Sequence, residues 1–284
     1  MMQVDRRTFV GGSEVAALFG EHPYVTKYQL FMQKAGRLPE KKSDERMEAG
    51  QWMEPAVANW AAYKKVWVIA KAAPVPARNR IGGSPDYDIQ GFLPGVLEIK
   101  TTDWLMAKRW DADDDPPLAW QLQLQHYLGL TGCSWGALAV LVGGNDLRIF
   151  RYDFRPAIWN AIQVACAEFW ASIDAGTPPA PDWTADAAIV ARIYAASVKG
   201  KTLDLTGDNR IPILADEYLA ASADAKAAEA RKDAARAEIL AKIGDADLAT
   251  CGAYKISAAA VAASTYTATR AAYRTMRITR KEPK

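Results

Sequence analysis

The sequence predicts a mixed α/β core followed by an appendage of one long helix and a short β-rich tail. Short apolar runs bounded by turn residues alternate with stretches of helical spacing through the first part of the chain. A proline-rich loop at 177–183 ends this pattern. Residues 212–243 are rich in Ala, Glu, Lys and Arg and predict the long helix. We therefore expect a core domain over residues 1–183 and an accessory region over residues 184–284.

Composition sets the broad class of the protein. The chain has 284 residues, enough for one large domain with an appendage. It is 50% hydrophobic and 24% charged, and its net charge of +2 favours no class of partner. Three widely spaced cysteines argue against a zinc ribbon, an iron–sulfur site or a disulfide framework, and they fit a reducing cytoplasm. No apolar run approaches the roughly 18 residues that span a bilayer, so we expect a cytoplasmic protein without a membrane segment.

The N-terminal elements follow from local patterns. Ser13 comes after two glycines and before an amphipathic stretch, so we expect it to be the N-cap of a first helix. Residues 44–64 carry apolar side chains at helical spacing and predict a second helix. Strands are expected over residues 66–70 and around Ile81.

The middle of the chain predicts a strand, a helix, a β-hairpin and a further helix. The apolar run 96–101 follows a glycine-bounded turn and predicts the strand, and residues 118–130 predict the helix. Residues 135–142 and 148–153 flank a Gly-Gly pair and predict the hairpin. Residues 158–173 predict the last helix of the core.

Charged side chains interrupt the apolar run 96–101. In a strand, residues i and i+2 share a face, so Glu98 and Lys100 point the same way. Asp86 lies upstream behind a Ser-Pro turn, and Glu54 lies on the helix predicted before it. Converging carboxylates repel each other unless a cation holds them, and Mg²⁺ or Mn²⁺ prefers such hard oxygen ligands. With a lysine beside the metal, this set suits phosphodiester hydrolysis, whereas Glu98 and Lys100 alone are more typical of a surface pair.

The ordered series of motifs resembles the PD-(D/E)xK nuclease superfamily, and within it the YqaJ-like viral recombinase or lambda-exonuclease family. The resemblance covers roughly residues 6–175. It rests on GGSEVAALFGEHPYVTKYQLFMQKAGRL (11–38), GQWMEPAVA (50–58), SPDYD (84–88), LEIKTT (97–102), QLQHYLGLTG (123–132) and AVLVGGNDLRIFR (139–151). It implies a restriction-endonuclease-like core, with a mixed central sheet flanked by helices.

Carried over residue by residue, the resemblance implies a metal-dependent site. Asp86, Glu98 and the carbonyl group of Ile99 would bind Mg²⁺, for which Mn²⁺ can substitute. Glu54 would reach a second metal ion or its water shell. Lys100 would orient or deprotonate the attacking water.

Two assignments within this site stay open. The family commonly has Asp-Gly where this chain has Asp86 followed by a tyrosine, so Asp88 is a second candidate ligand, although the preceding Ser-Pro favours Asp86. Gln123 and Tyr127 are four residues apart and share a helix face, from which they would contact phosphate or water. The other two glutamines of this helix are rivals, because the helix has a glutamine at every second position: Gln121 and Gln125.

The resemblance also implies a substrate. Arg6, Ser13 and Ser84 would hold a DNA 5′-phosphate, and a serine at a helix start independently offers free N–H groups to an anion. The implied activity is a Mg²⁺-dependent exonuclease that degrades linear double-stranded DNA from its 5′ ends and leaves 3′ single strands for phage-type recombination. The implied partners are DNA ends, a single-strand annealing protein and further copies of the chain in a ring-like trimer. The alternatives are a structure-specific or repair endonuclease on the same core and a catalytically silent DNA-binding module.

Overall fold

A computed structural model describes residues 5–39, 44–108, 115–269 and 273–279. The chain divides into two compact units, Met1–Ile193 and Tyr194–Lys284. The domain boundary expected from composition at residues 183 and 184 stays a prediction. None of the helices in the described ranges has the length and apolar character that crossing a bilayer requires.

The described part of the first unit begins with three helices, continues with five strands, and ends with two helices, two strands and two further helices. The helices in its described part are α1 (Gly12–Leu18), α2 (Lys27–Lys34), α3 (Glu45–Lys65), α4 (Trp104–Ala107), α5 (Leu118–Thr131), α6 (Pro156–Asp174) and α7 (Ala187–Ile193), preceded by a 3₁₀ turn at Arg6–Thr8. The strands there are β1 (Val68–Lys71), β2 (Val75–Arg78), β3 (Ile81–Gly83), β4 (Tyr87–Gln90), β5 (Gly95–Thr102), β6 (Trp135–Val142) and β7 (Asp146–Asp153).

A mixed sheet forms the centre of the first unit. Among the described residues it has five strands in the order β1-β4-β5-β6-β7, and β2 pairs separately with β3. Strands β5 and β6 are parallel, with Glu98 beside Leu138 and Lys100 beside Val140. The remaining neighbours in the sheet are antiparallel. The expected fold class, a mixed central sheet flanked by helices, is confirmed.

Helices cover both faces of this sheet, and the alternation along β5 decides what each face presents. Leu97 and Ile99 pack against α3 on one face, whereas Val96 packs against α5 on the other. Because alternate strand residues point to opposite faces, Glu98 and Lys100 lie on the face covered by α5.

Helix α5 is buried on two sides. The sheet covers one side, and α1, α2 and α6 form a further apolar cluster with Ala119 and Leu122 on the other. A helix that is enclosed in this way has no solvated face, so its polar residues must find partners inside the protein. Gln123, Gln125 and His126 are accordingly all buried.

The first helix begins differently from the expectation. Its N-cap is Gly11, and Ser13 lies inside α1, so the assignment of Ser13 as the cap is wrong. The physical reason is Glu14, whose carboxylate accepts a hydrogen bond from the Gly11 N–H at 2.9 Å and so satisfies a donor at the helix start.

The helix expected over residues 44–64 and the strand expected over residues 66–70 are present with a shifted boundary. Helix α3 ends at Val66, which has a left-handed backbone with φ of 56°. The strand therefore starts two residues late, at Val68.

The second unit contains a long helix and a hairpin. Helix α8 is Arg210–Ile243, and strands β8 (Leu248–Cys251) and β9 (Tyr254–Ser257) pair antiparallel. No residue of α8 is buried.

Gly129→Ala should destabilise the protein, although alanine is favoured over glycine within a helix by roughly 1 kcal/mol. A methyl group at Gly129 of α5 would lie 2.1 Å from Cδ2 of Trp159 of α6. We expect this overpacking to lower the free energy of unfolding by roughly 1–3 kcal/mol.

Gly50→Ala in α3 is the matched control, because its methyl group would meet only Thr101 Oγ1 at 3.8 Å. This control should raise the free energy of unfolding by roughly 0.5–1 kcal/mol. Urea denaturation measures both, and shifts of the same sign would contradict the packing argument.

Candidate active site

Glu98 is the buried centre of the candidate site. Its side chain is 2% exposed, and its Oε1 accepts hydrogen bonds from Lys100 Nζ at 2.7 Å and from Gln123 Nε2. Its Oε2 is buried and has no hydrogen-bond partner among the described residues. Burial raises the pKa of Glu98 to about 7 against the opposing effect of Lys100, and the Asp86 carboxylate raises it further. Glu98 and Lys100 are therefore a buried pair and not a surface pair.

Asp86 is joined to the strand that carries Glu98. The Ile99 N–H donates a hydrogen bond to Asp86 Oδ2 at 2.8 Å. Burial raises the pKa of Asp86, although the Ile99 N–H and the Lys100 ammonium oppose this rise. Asp88 takes part in the sheet through its backbone, opposite residues of β1 and β5. The structure thus brings the side chain of Asp86 to β5.

Glu54, on α3, forms an ion pair with Lys71 at the end of β1. Burial lowers the pKa of the Lys71 ammonium, but the hydrogen bond and charge of Glu54 outweigh it, so the pKa is raised. Lys71 also lies 4.7 Å from the centroid of the Tyr87 ring. Sequence reasoning missed Lys71, and the available signal was the pairing of its strand with the segment that follows Asp86, which sets Lys71 opposite Tyr87.

The donors around Glu98 fit a hard divalent cation. In the described ranges, no three His, Cys, Asp or Glu side chains form a ready metal-binding cluster, and Glu54 is turned to Lys71. Glu98 Oε2 nevertheless has no donor, and the Asp86 carboxylate raises the pKa of Glu98. A cation shared by the two carboxylates would relieve both conditions. The Asp86 and Glu98 carboxylates therefore fit such a cation, and the role of the Ile99 carbonyl group stays a prediction from the resemblance.

Gln123 and Tyr127 project from α5 into the site. Lys100 Nζ donates to Gln123 Oε1 at 3.0 Å, and Gln123 Nε2 donates to Glu98 and, at 3.4 Å, to the Tyr127 hydroxyl group. Burial raises the pKa of Tyr127, and the Glu98 charge adds to this effect. The hydroxyl group is therefore protonated at neutral pH.

The rival glutamines make other contacts. Gln125 Nε2 donates to the Asp153 carbonyl group at 2.9 Å, and Gln121 Nε2 donates to the Pro116 carbonyl group at 2.8 Å. Residues two apart differ by about 200° around a helix, so Gln123 cannot share its direction with either neighbour. Of the three glutamines, the structure places Gln123 in the carboxylate cluster.

Two glycines fit closely against the ring of Tyr127. A methyl group at Gly12 would lie 2.6 Å from Tyr127 Cζ, and one at Gly83 would lie 2.8 Å from its Cε1. The start of α1 and the end of β3 therefore meet at this ring. Any side chain at either glycine would displace the tyrosine from the site.

The three residues expected to bind phosphate lie beside this ring. Arg6 Nη2 donates a hydrogen bond to Ser13 Oγ at 3.3 Å, and both residues are exposed. The Arg6 charge acts to lower the pKa of Tyr127, which places the guanidinium group within electrostatic range of the site. Ser84 is exposed and directly follows Gly83. The structure thus brings Arg6 and Ser13 into contact and places Ser84 next to a residue that packs on the same ring.

Comparison with known proteins tests the family resemblance. Residues 3–134 match the model of the YqaJ-like viral recombinase domain, so the resemblance found in the motifs is confirmed. The protein YqaJ of Bacillus subtilis strain 168 is 29% identical over 220 residues, which are 73% of this chain and 67% of that protein.

Solved structures of similar fold include an alkaline exonuclease, LHK-Exo, from Laribacter hongkongensis. The match to its crystal structure covers 60% of this chain and 90% of the LHK-Exo chain, with 19% sequence identity and a TM-score of 0.50. The crystal structure of LHK-Exo in complex with dAMP gives the same coverage and identity, with a TM-score of 0.51. This likeness shows that the chain shares the fold of LHK-Exo.

Glu98→Gln should stabilise the folded protein at neutral pH when divalent ions are chelated. Folding raises the pKa of Glu98 from 4.5 to about 7, so stability that is present below the unfolded pKa is lost as pH rises through the folded pKa. The glutamine variant carries no charge and should gain on the order of 1–3 kcal/mol near pH 8 and almost nothing near pH 4.

Urea denaturation in EDTA across this pH range measures the difference between variant and wild type. Glu48→Gln, at an exposed position of α3, is the control and should change little. A difference for Glu98→Gln that does not vary with pH would contradict the buried charge.

Proposed function

We propose that the chain, which carries a YqaJ-like viral recombinase domain over residues 3–134, is a metal-dependent DNA exonuclease. It would degrade linear double-stranded DNA from the 5′ end in the bacterial or phage-infected cytoplasm and leave 3′ single strands for recombination. The observation that carries the proposal is the buried Glu98, which has one unsatisfied oxygen, is held by Lys100 and Gln123, and has its pKa raised by the charge of Asp86. The family resemblance further supports a ring-like trimer and a single-strand annealing protein as partner.

Asp86, Glu98 and the Ile99 carbonyl group would hold Mg²⁺, or Mn²⁺ in its place, and Glu54 would reach a second ion or its water shell. Such an ion supplies Lewis acidity, which lowers the pKa of water and stabilises negative charge on a phosphate oxygen. Glu54 must leave Lys71 to take part.

Lys100 carries the positive charge closest to Glu98. Its ammonium group donates to Glu98 Oε1 and Gln123 Oε1, which fixes its position while a third donor stays available. From there Lys100 can orient the attacking water and meet the charge that develops on the phosphate. The protonated Tyr127 hydroxyl group is a neutral donor for the same oxygens.

Asp86→Asn should reduce cleavage of linear duplex DNA in Mg²⁺ by roughly a hundredfold or more, because even residues behind a metal ligand are worth about ten- to a hundredfold. Asp88→Asn is the matched control and should keep most of the activity. Digestion of end-labelled linear DNA beside closed circular DNA measures both variants.

The same assay separates the competing functions. Degradation of linear DNA alone supports an exonuclease, and cutting of closed circles would favour an endonuclease on the same core. Full activity in Asp86→Asn with loss in Asp88→Asn would show that the ligand assignment is wrong. An inactive wild-type protein that binds DNA would favour the silent binding module.

Duplexes with a 5′-phosphate should be degraded faster than identical duplexes with a 5′-hydroxyl group. Arg6 and Ser13 already contact each other, and a charge-assisted hydrogen bond to phosphate is worth roughly 1.5–3 kcal/mol, so the preference should be on the order of tenfold. Arg6→Ala should erase most of it. Arg7→Ala is the control, because Arg7 is held by Asp5. Initial rates at fixed salt measure the ratio, and equal rates on both ends in the wild-type protein would exclude the phosphate pocket.

A further inference from the structure

A buried ion pair lies beneath the segment that carries Arg6. The side chain of Lys34, at the end of α2, is 3% exposed, and its Nζ donates to Glu14 Oε2 at 2.7 Å and to Glu14 Oε1 at 2.8 Å. The same ammonium group donates to the Arg6 carbonyl group at 2.6 Å. Glu14 Oε2 also accepts from the Gly11 N–H at 2.9 Å. One charged pair therefore joins α2, the start of α1 and the Arg6–Thr8 turn.

The pair has little value for stability alone. Removing two charges from water costs several kcal/mol per ion, and apolar residues of similar volume are often as stabilising. The Arg6–Thr8 turn, by contrast, contains no buried residue, so no apolar side chain within it fixes the position of Arg6. The polar contacts of Lys34 and Glu14 therefore act where packing is absent.

Glu14 and Arg6 approach the same glycine. A methyl group at Gly11 would lie 3.5 Å from Arg6 Nη2 and 3.5 Å from Glu14 Oε2. A carboxylate on the same side of this glycine attracts the guanidinium group and would also repel a phosphate. Lys34 prevents both, because it donates to both Glu14 oxygens and neutralises their charge.

We propose that Lys34 is a positioning residue for phosphate recognition: it occupies Glu14 so that the Arg6 guanidinium group stays with Ser13 and remains available to an anion. The proposal rests on the proposed function, in which Arg6 and Ser13 hold the 5′-phosphate of a DNA end.

The test compares the affinity for short duplexes that carry either a 5′-phosphate or a 5′-hydroxyl group, by fluorescence anisotropy in EDTA at fixed salt. In the wild-type protein the ratio of dissociation constants should be on the order of tenfold in favour of the phosphate. Lys34→Met frees Glu14 to capture Arg6, and the ratio should fall below about twofold. Lys34→Gln should show the same loss of preference for the 5′-phosphate. It takes the place of Lys34→Met in the test if the Lys34→Met protein does not fold.

The decisive variant is the double substitution Lys34→Met with Glu14→Gln. It removes the competing carboxylate, so most of the preference for the 5′-phosphate should return, which would not happen if Lys34 acted only through its hydrogen bond to the Arg6 carbonyl group. Lys232→Met is the charge-matched control, because it removes a cation from the exposed pair with Glu229 and should keep the wild-type ratio.

Two results would overturn the inference while leaving the proposed function intact. One is that folded Lys34→Met or Lys34→Gln protein keeps the wild-type ratio of dissociation constants. The other is that the double variant loses the preference for the 5′-phosphate as completely as the single variant does. No preference in the wild-type protein would instead overturn the phosphate pocket itself, and the inference with it.

Discussion

The candidate site depends on keeping one carboxylate, Glu98, almost wholly out of water. Burial alone would protonate it, and the Lys100 ammonium only partly offsets that effect. The position of Lys100 on the same face of β5 follows from strand geometry. Gln123 reaches from α5 to complete the contact, so this carboxylate adds a polar link to the apolar packing between the sheet and the helix that covers it.

The enclosure of α5 explains why so many polar side chains of one helix are ordered. With apolar layers on two sides, buried polar groups need internal partners, and His126 Nδ1 is the exception on α5 that has none among the described residues. Gln125 uses the β7 backbone, and His126 Nε2 lies 2.9 Å from the Gly82 carbonyl group. Burial lowers the pKa of His126 to about 4, so it is neutral at physiological pH and contributes no charge beside Tyr127. Among the described residues, the positive charge near the candidate site therefore comes from Lys100, Lys71 and Arg6.

Local periodicity could predict the sheet strands and the shared face of Glu98 and Lys100, because a strand repeats every two residues. It could not choose among glutamines two apart on α5, since that choice depends on how the helix is rotated against β5. The pairing of Lys71 with Glu54 and of Lys34 with Glu14 joins residues 17 and 20 positions apart, and tertiary structure alone decides such contacts. The assignment of Ser13 as the cap was wrong because the helix starts earlier, with Gly11 as its N-cap, whose N–H donates to the Glu14 carboxylate.

Three glutamates in this unit are each paired with a lysine, and their remaining hydrogen-bonding capacity separates their roles. Both oxygens of Glu14 accept from Lys34, and one also accepts from a backbone N–H, so this carboxylate has little left for a metal ion. Glu98 has one oxygen satisfied twice and the other not at all. A buried acceptor without a donor is costly unless something else occupies it, and a hard cation is the partner that a carboxylate beside Asp86 can bind. At the proposed phosphate pocket, the lysine thus satisfies both oxygens of its glutamate. At the proposed metal site, one glutamate oxygen has no donor among the described residues.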